Sequence, residues 1–183
     1  NPDIYRFFMT NPVPNMPKIY CAYEGDNGLI VIEEFIEGRN VMDAWHSYFQ
    51  TEIECIKNCD DFDTFGHIDY GLRYHHEMLE NCEFKFDDYI DEIDEILKAL
   101  IYRGKGLEFN TKSLVAFDDE NSPSILSMKR YKELGGEIIT IGSDAHFAKD
   151  VAREFAKTEQ ILKAIGFRHY CVYKNRKPEF YEF

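Results

Sequence analysis

Asp144 and His146, two residues apart in "EIITIGSDAH" (137–146), are the types and spacing that most suggest chemistry in this chain. A hard carboxylate oxygen beside a borderline imidazole nitrogen suits Zn, Mn or Fe better than Ca. If the chain stays extended there, side chains at i and i+2 point the same way and both reach one ion. The plainer reading is a helix-capping Asp beside a surface His. His67, in "FGHIDY", is either a further ligand or a satisfied core imidazole, and Asp69 either supports it or caps a loop. Arg73, in "GLRYHH", offers the planar fork that a phosphate ester needs, or pairs with a surface carboxylate. His75 and His76 are neighbours and project apart, while His46 and His169 have no evident partner. No Gly-rich phosphate loop, nucleophile elbow or convincing Cys/His dyad is present.

The elements that must position these residues follow from periodicity. "KIYCAYEGDNGLIVIEEF" reads as a hairpin, two β-prone runs around the turn residues 24–28. From Asp43 the period becomes helical, with Trp45, Phe49, Ile53 and Ile56 on one side. A short strand within 62–70 comes next. "FDDYIDEIDEILKALIYRGKG" is a helix with core face Ile90, Ile93, Ile96, Leu97, Leu100 and Ile101, stopped by Gly104. The strand "GLEFN" (106–110) follows. The helix after it has Ser122 as cap, Pro123 first and Gly135-Gly136 at its exit. The strand before Asp144, a helix over 148–167 and a last strand "HYCVYK" complete the order α-β-α-β-α-β-α-β. Such alternation implies a parallel sheet with outer helices. Chemistry in such folds lies at the carboxyl ends of the strands, where His67, Asn110, Asp144 and His146 all fall.

Composition bounds the function. The 183 residues are 44% hydrophobic, enough for a folded domain with its own core. A net charge of −13 argues against nucleic acid and anionic membrane as partners. The acidic run 87–95 reads as a solvated helix face. Five cysteines without a CxxC pair suit free thiols in a reducing, cytoplasmic setting, and no apolar run approaches a membrane span. The first residue, Asn1, implies a processed, trimmed or fragmentary chain.

"FDTFGHIDYGLRY", "IDEILKALIYRGKGLEFNT", "SILSMKRYKELGGEIITIGSDAHFAKDV" and "ILKAIGFRHYCVYKNRKPEFY" together resemble the PHP (polymerase and histidinol phosphatase) family, nearest its histidinol-phosphatase branch. The resemblance covers residues 41–183. It implies an α/β fold, part of a PHP-type barrel of parallel strands with outer helices, and a metal-dependent phosphomonoester hydrolase acting in histidine biosynthesis. On it, His67, Asp144 and His146 are metal ligands for Zn, Mn or Fe, Asp144 also positions the attacking water, and Arg73 meets the substrate phosphate. The family's opening His-x-His motif is absent, so the chain alone is expected to be weakly active or inactive. Residues from about 5 to 40, from "YRFFMTNP" to "EEFIEGRN", resemble instead the hinge hairpin of a bacterial protein kinase, without its catalytic parts, so 1–40 is expected to be a segment apart. The expected partners are a small phosphorylated substrate and a second copy paired through an exposed sheet edge. The alternative is a non-catalytic remnant that binds one metal or a protein partner.

Overall fold

The computed structural model describes residues 19–25, 28–33, 41–73, 84–116 and 122–183. It divides into two compact units, Asn1–Asn40 and Val41–Phe183. In the first, β1 (Ile19–Gly25) pairs antiparallel with β2 (Gly28–Glu33), closing at Gly25 opposite Gly28. The stretch 34–40, where the kinase-like resemblance ends, lies outside the described residues.

The second unit opens with α1 (Val41–Asn58), which buries Phe49, Ile53 and Ile56, three of the four residues expected on its inner side. Then come β3 (Thr64–Phe65), the single turn α2 (Tyr70–Arg73), a 3-10 turn (Phe86–Tyr89) and α3 (Ile90–Tyr102). The expected face of α3 holds: Ile93, Ile96, Leu97 and Leu100 are buried. Gly104 lies just past the helix with φ 63, a left-handed position that favours glycine.

The central strand β4 (Gly106–Asn110) pairs in parallel with β3 on one side and with β5 (Ile139–Gly142) on the other. Alternation decides its two faces. Leu107 and Phe109 are fully buried in the core among the helices. Glu108 points the other way, on the face where the Thr64 and Thr140 hydroxyls meet at 3.1 Å. Between β4 and β5 run the single turn α4 (Ser113–Ala116) and α5 (Pro123–Glu133). Ser122 caps α5 as expected, its hydroxyl accepting from the Ile125 N–H at 3.4 Å.

The acidic helix face needs one correction. Asp87, Asp88, Asp91 and Glu95 are exposed, but Asp94 is 8% exposed. Arg130 of α5 grips it as a fork, Nε to Oδ1 at 2.6 Å and a second guanidinium N–H to Oδ2 at 2.8 Å. That hydrogen-bonded charge, aided by Lys98, holds the Asp94 carboxyl down to about 2. The fork joins α3 to α5 at a point the sequence places in water. His46 also has a partner, Glu92 Oε1 at 2.5 Å, joining α1 to α3.

Two expectations fail at the C-terminal end. The helix over 148–167 is shorter: a 3-10 turn (Ala148–Asp150) is followed by left-handed Ala152 and Glu154, and α6 spans Phe155–Ile165. The last strand does not extend the parallel sheet. β6 (His169–Lys174) turns back through Asn175 and Arg176, both at positive φ, into β7 (Lys177–Glu182), an antiparallel partner. Paired positive φ values suit the tight turn that right-twisted strands require. Arg176 in that turn also pairs with Asp61 and Asp63 ahead of β3. The sheet seen is therefore three parallel strands plus this hairpin, and no closed barrel is formed by the described residues. Among them, no helix is long and apolar enough to cross a membrane. Cys55 and Cys59 are exposed free thiols and Cys171 a buried one.

Two measurements test this packing. A Cβ on Gly136 would lie 2.4 Å from the ring of Tyr131, which is 1% exposed. Gly136→Ala is expected to cost about 1–3 kcal/mol in denaturant unfolding, and an unchanged midpoint would refute the contact. Glu52 on α1 is half-buried with one carboxylate oxygen enclosed and unpartnered, and desolvation with the nearby Asp69 charge, partly offset by a Tyr48 hydrogen bond, pushes its pKa from 4.5 up to about 8. The folded state therefore holds this proton more tightly than the unfolded chain. Its stabilisation is complete below about 4.5 and is lost as pH rises to about 8. Glu52→Gln should flatten thermal stability between those values and add about 1–3 kcal/mol above pH 8.

Candidate functional site

The carboxyl ends of β3, β4 and β5 come together through Glu108. Its Oε2 accepts from the His67 backbone N–H at 3.0 Å and from the Asn110 side-chain amide at 3.2 Å. Its other oxygen occupies the space left by Gly142, where a Cβ would stand 2.0 Å away. One carboxylate on the middle strand thus touches both neighbouring strand ends. Sequence reading missed Glu108, although a charge between two core residues, Leu107 and Phe109, is a usable signal.

His67 is exposed, at φ 34, with its ring 4.9 Å from that of Tyr70. It is neither a core imidazole nor bonded through its ring to Glu108. Asp69, 1% exposed, accepts from the Ser113 hydroxyl and from the Ser124 hydroxyl at 2.7 Å. It thereby fastens the loop after β3 to α4 and α5. Arg73 ends α2, and its side chain lies outside the described residues, as do His75 and His76.

Beyond β5, Asp144 takes a left-handed conformation at φ 49. The extended geometry expected for Asp144 and His146 is therefore broken, and a bend brings the two together instead. His146 Nδ1 lies 2.9 Å from the Asp144 carbonyl oxygen and 3.8 Å from its Oδ1. A carbonyl only accepts, so Nδ1 donates its proton there and Nε2 is the ring nitrogen left facing outward. The Asp144 carboxylate, 22% exposed, has the Lys112 ammonium 3.5 Å from Oδ2. Arg153 approaches the same turn: its carbonyl accepts from the Thr111 hydroxyl at 2.7 Å, and its guanidinium reaches Asp150 at 3.3 Å.

The donor chemistry of Asp144 and His146 fits one corner of a Zn, Mn or Fe site. Among the described residues no three His, Cys, Asp or Glu side chains are gathered tightly enough to hold an ion. A separate groove of about 510 Å³ is walled by helices alone, with Ile125, Lys129, Ile161 and Ile165 in its lining. It includes none of the strand-end residues.

No family model matches the chain. It is 34% identical over 158 residues to a probable histidinol-phosphatase of Clostridium acetobutylicum, covering 85% of this chain and 57% of that protein. With the histidinol-phosphatase of Lactococcus lactis the identity is 31% over 137 residues, 74% of this chain and 49% of the relative. The crystal structure of histidinol phosphate phosphatase from Lactococcus lactis, complexed with Zn, L-histidinol and phosphate, superposes with a TM-score of 0.68 at 25% identity. It covers 97% of this chain and 66% of that one. The chain is thus related to histidinol-phosphatases and spans about half the length of the curated relatives it matches.

The Glu108–Gly142 contact has a direct test. Gly142→Ala should drive the carboxylate away and cost about 1–3 kcal/mol. The double change Gly142→Ala, Glu108→Ala should cost less than the sum of the two single changes, because the clash is gone. Additive losses in denaturant unfolding would place the two residues apart.

Proposed function

We propose that this chain carries part of a metal-dependent phosphomonoester hydrolase of the histidinol-phosphatase kind, with L-histidinol phosphate as substrate. The observation that carries the reading is a pair of contacts at the carboxyl ends of parallel strands, His67 bonded through its backbone N–H to Glu108 and, past β5, Asp144 beside His146. The likeness to relatives named for that activity supports it, as does the Lactococcus lactis complex with Zn, L-histidinol and phosphate. Within it, β3–β4–β5 form an arc of a PHP-type barrel, residues 41–183 are its C-terminal portion, and residues 1–40 are a kinase-hinge-like hairpin.

His67, Asp144 and His146 would hold one divalent ion, Zn, Mn or Fe. When bound, such an ion lowers the pKa of its water and neutralises charge on the phosphoryl oxygens. The chain's own residues do the rest. Asp144 orients the attacking water and accepts its proton. Glu108 fixes the His67 backbone, and the Asp69–Ser113–Ser124 bonds keep the loop after β3 from moving away. Arg73 meets the substrate phosphate. His146, its Nδ1 proton held by the Asp144 carbonyl, presents Nε2 outward.

Phosphate release from L-histidinol phosphate, measured after returning Mn²⁺ or Zn²⁺ to metal-stripped protein, tests the reading. The expected result is slow, metal-dependent release that Asp144→Asn reduces to the protein-free rate. Release that ignores the metal, or survives Asp144→Asn undiminished, would rule it out.

A further inference from the structure

We propose that Tyr48 and Glu52 form a proton-operated clamp on the loop after β3: while Glu52 keeps its proton, the Tyr48 hydroxyl holds the Ile68 carbonyl, and once that proton leaves for solvent the hydroxyl turns to Glu52 and releases the loop.

Tyr48 and Glu52 lie one turn apart on α1 and share a face. That face meets the loop that starts at His67 and runs into α2. The Tyr48 hydroxyl donates to the Ile68 carbonyl at 3.4 Å, and the Gly71 N–H donates to the Tyr48 oxygen. A Cβ on Gly71 would stand 2.9 Å from the Trp45 ring and 3.4 Å from that of Tyr48, so α1 presses directly on this backbone. Ile68 and Asp69 are buried, at 4% and 1% exposure.

Proton counting makes the contact conditional. A phenol has a single proton to donate. Glu52 also hydrogen-bonds Tyr48. With the hydroxyl proton on Ile68, the bond to Glu52 needs a proton from the acid. Protonated Glu52 supplies it, and every contact is satisfied at once. Ionised Glu52 only accepts, so the Tyr48 proton must then serve either Glu52 or Ile68. The carboxylate wins, because a hydrogen bond to a charged acceptor is roughly twice as strong as one to a neutral carbonyl.

The new charge also faces Asp69, which accepts from the Ser113 and Ser124 hydroxyls, and like charges push the loop from the helix. Among the described residues, Tyr48 on its own helix and Asp69 on the loop are the titratable groups that face Glu52. The α3 carboxylates that reach α1, Glu92 and Glu95, are taken by His46 and Lys57. Burial and the Asp69 charge keep the Glu52 proton in place until about pH 8, so the clamp is closed at neutral pH and opens above it.

Trp45 is the chain's single tryptophan, and its emission reads this contact. In the wild type it is expected to show a one-proton step near pH 8. Glu52→Gln should lack that step, since its amide keeps donating to Tyr48 at every pH. Changes shared by both proteins, such as the titration of neighbouring His46, cancel in the comparison. The second readout is the carbonyl carbon resonance of Ile68, followed by NMR. It should shift upfield with the same midpoint as its hydrogen bond is lost, and stay fixed in Glu52→Gln. Tyr48→Phe keeps the ring against Gly71 without the hydroxyl, so its Ile68 carbonyl should sit at the released position throughout. A wild type without the step, or a step kept in Glu52→Gln, overturns the role of Glu52. A step that depends on Glu52 but leaves the Ile68 carbonyl unmoved overturns the release of the loop.

Discussion

The strand-end site depends on one carboxylate in the middle of the sheet. β4 must satisfy two opposed demands: Leu107 and Phe109 face a dry core, and Glu108 between them cannot. Strand alternation resolves the conflict by giving each its own face. Glu108 then finds what a half-buried charge requires, the His67 N–H, the Asn110 amide and open space over Gly142. Those contacts set the spacing of the three strand ends, and with it the positions of His67 and Asp144.

Around that centre the loops are held by polar groups that carry no chemistry themselves. Asp69 binds two serines from two helices, and Thr111 holds the Arg153 carbonyl. The second contact accounts for the late start of α6. The chain from 151 to 154 is kept in left-handed turns at Ala152 and Glu154 rather than allowed to wind. Order in that segment is placed next to the site, with regular helix only beyond it.

The fold was largely legible where the signal is local. β4 matches its expected bounds, Ser122 and Pro123 start α5, and the apolar stripe of α3 faces the core. Misreadings fell where a distant partner overrules the local pattern. Pro178 hides β7, because proline suits only an edge strand, and the Asn175–Arg176 turn contains no glycine to announce it. Asp94 looks like one more charge on a wet face until Arg130, 36 residues away, takes it into the interior.

The candidate site divides in the same way. The sequence by itself determined which residues have the right chemistry and that they end parallel strands, since residue type, period and caps are local properties. It could assign the Asp144 and His146 pair but not its shape, because the bend at Asp144 depends on what surrounds it. It named neither Glu108 nor Lys112. Their contacts reach across 41 and 32 residues of chain, to His67 and to Asp144. Only the tertiary structure decided those, because a side chain's partner is set by the packing of the sheet and not by its neighbours in sequence.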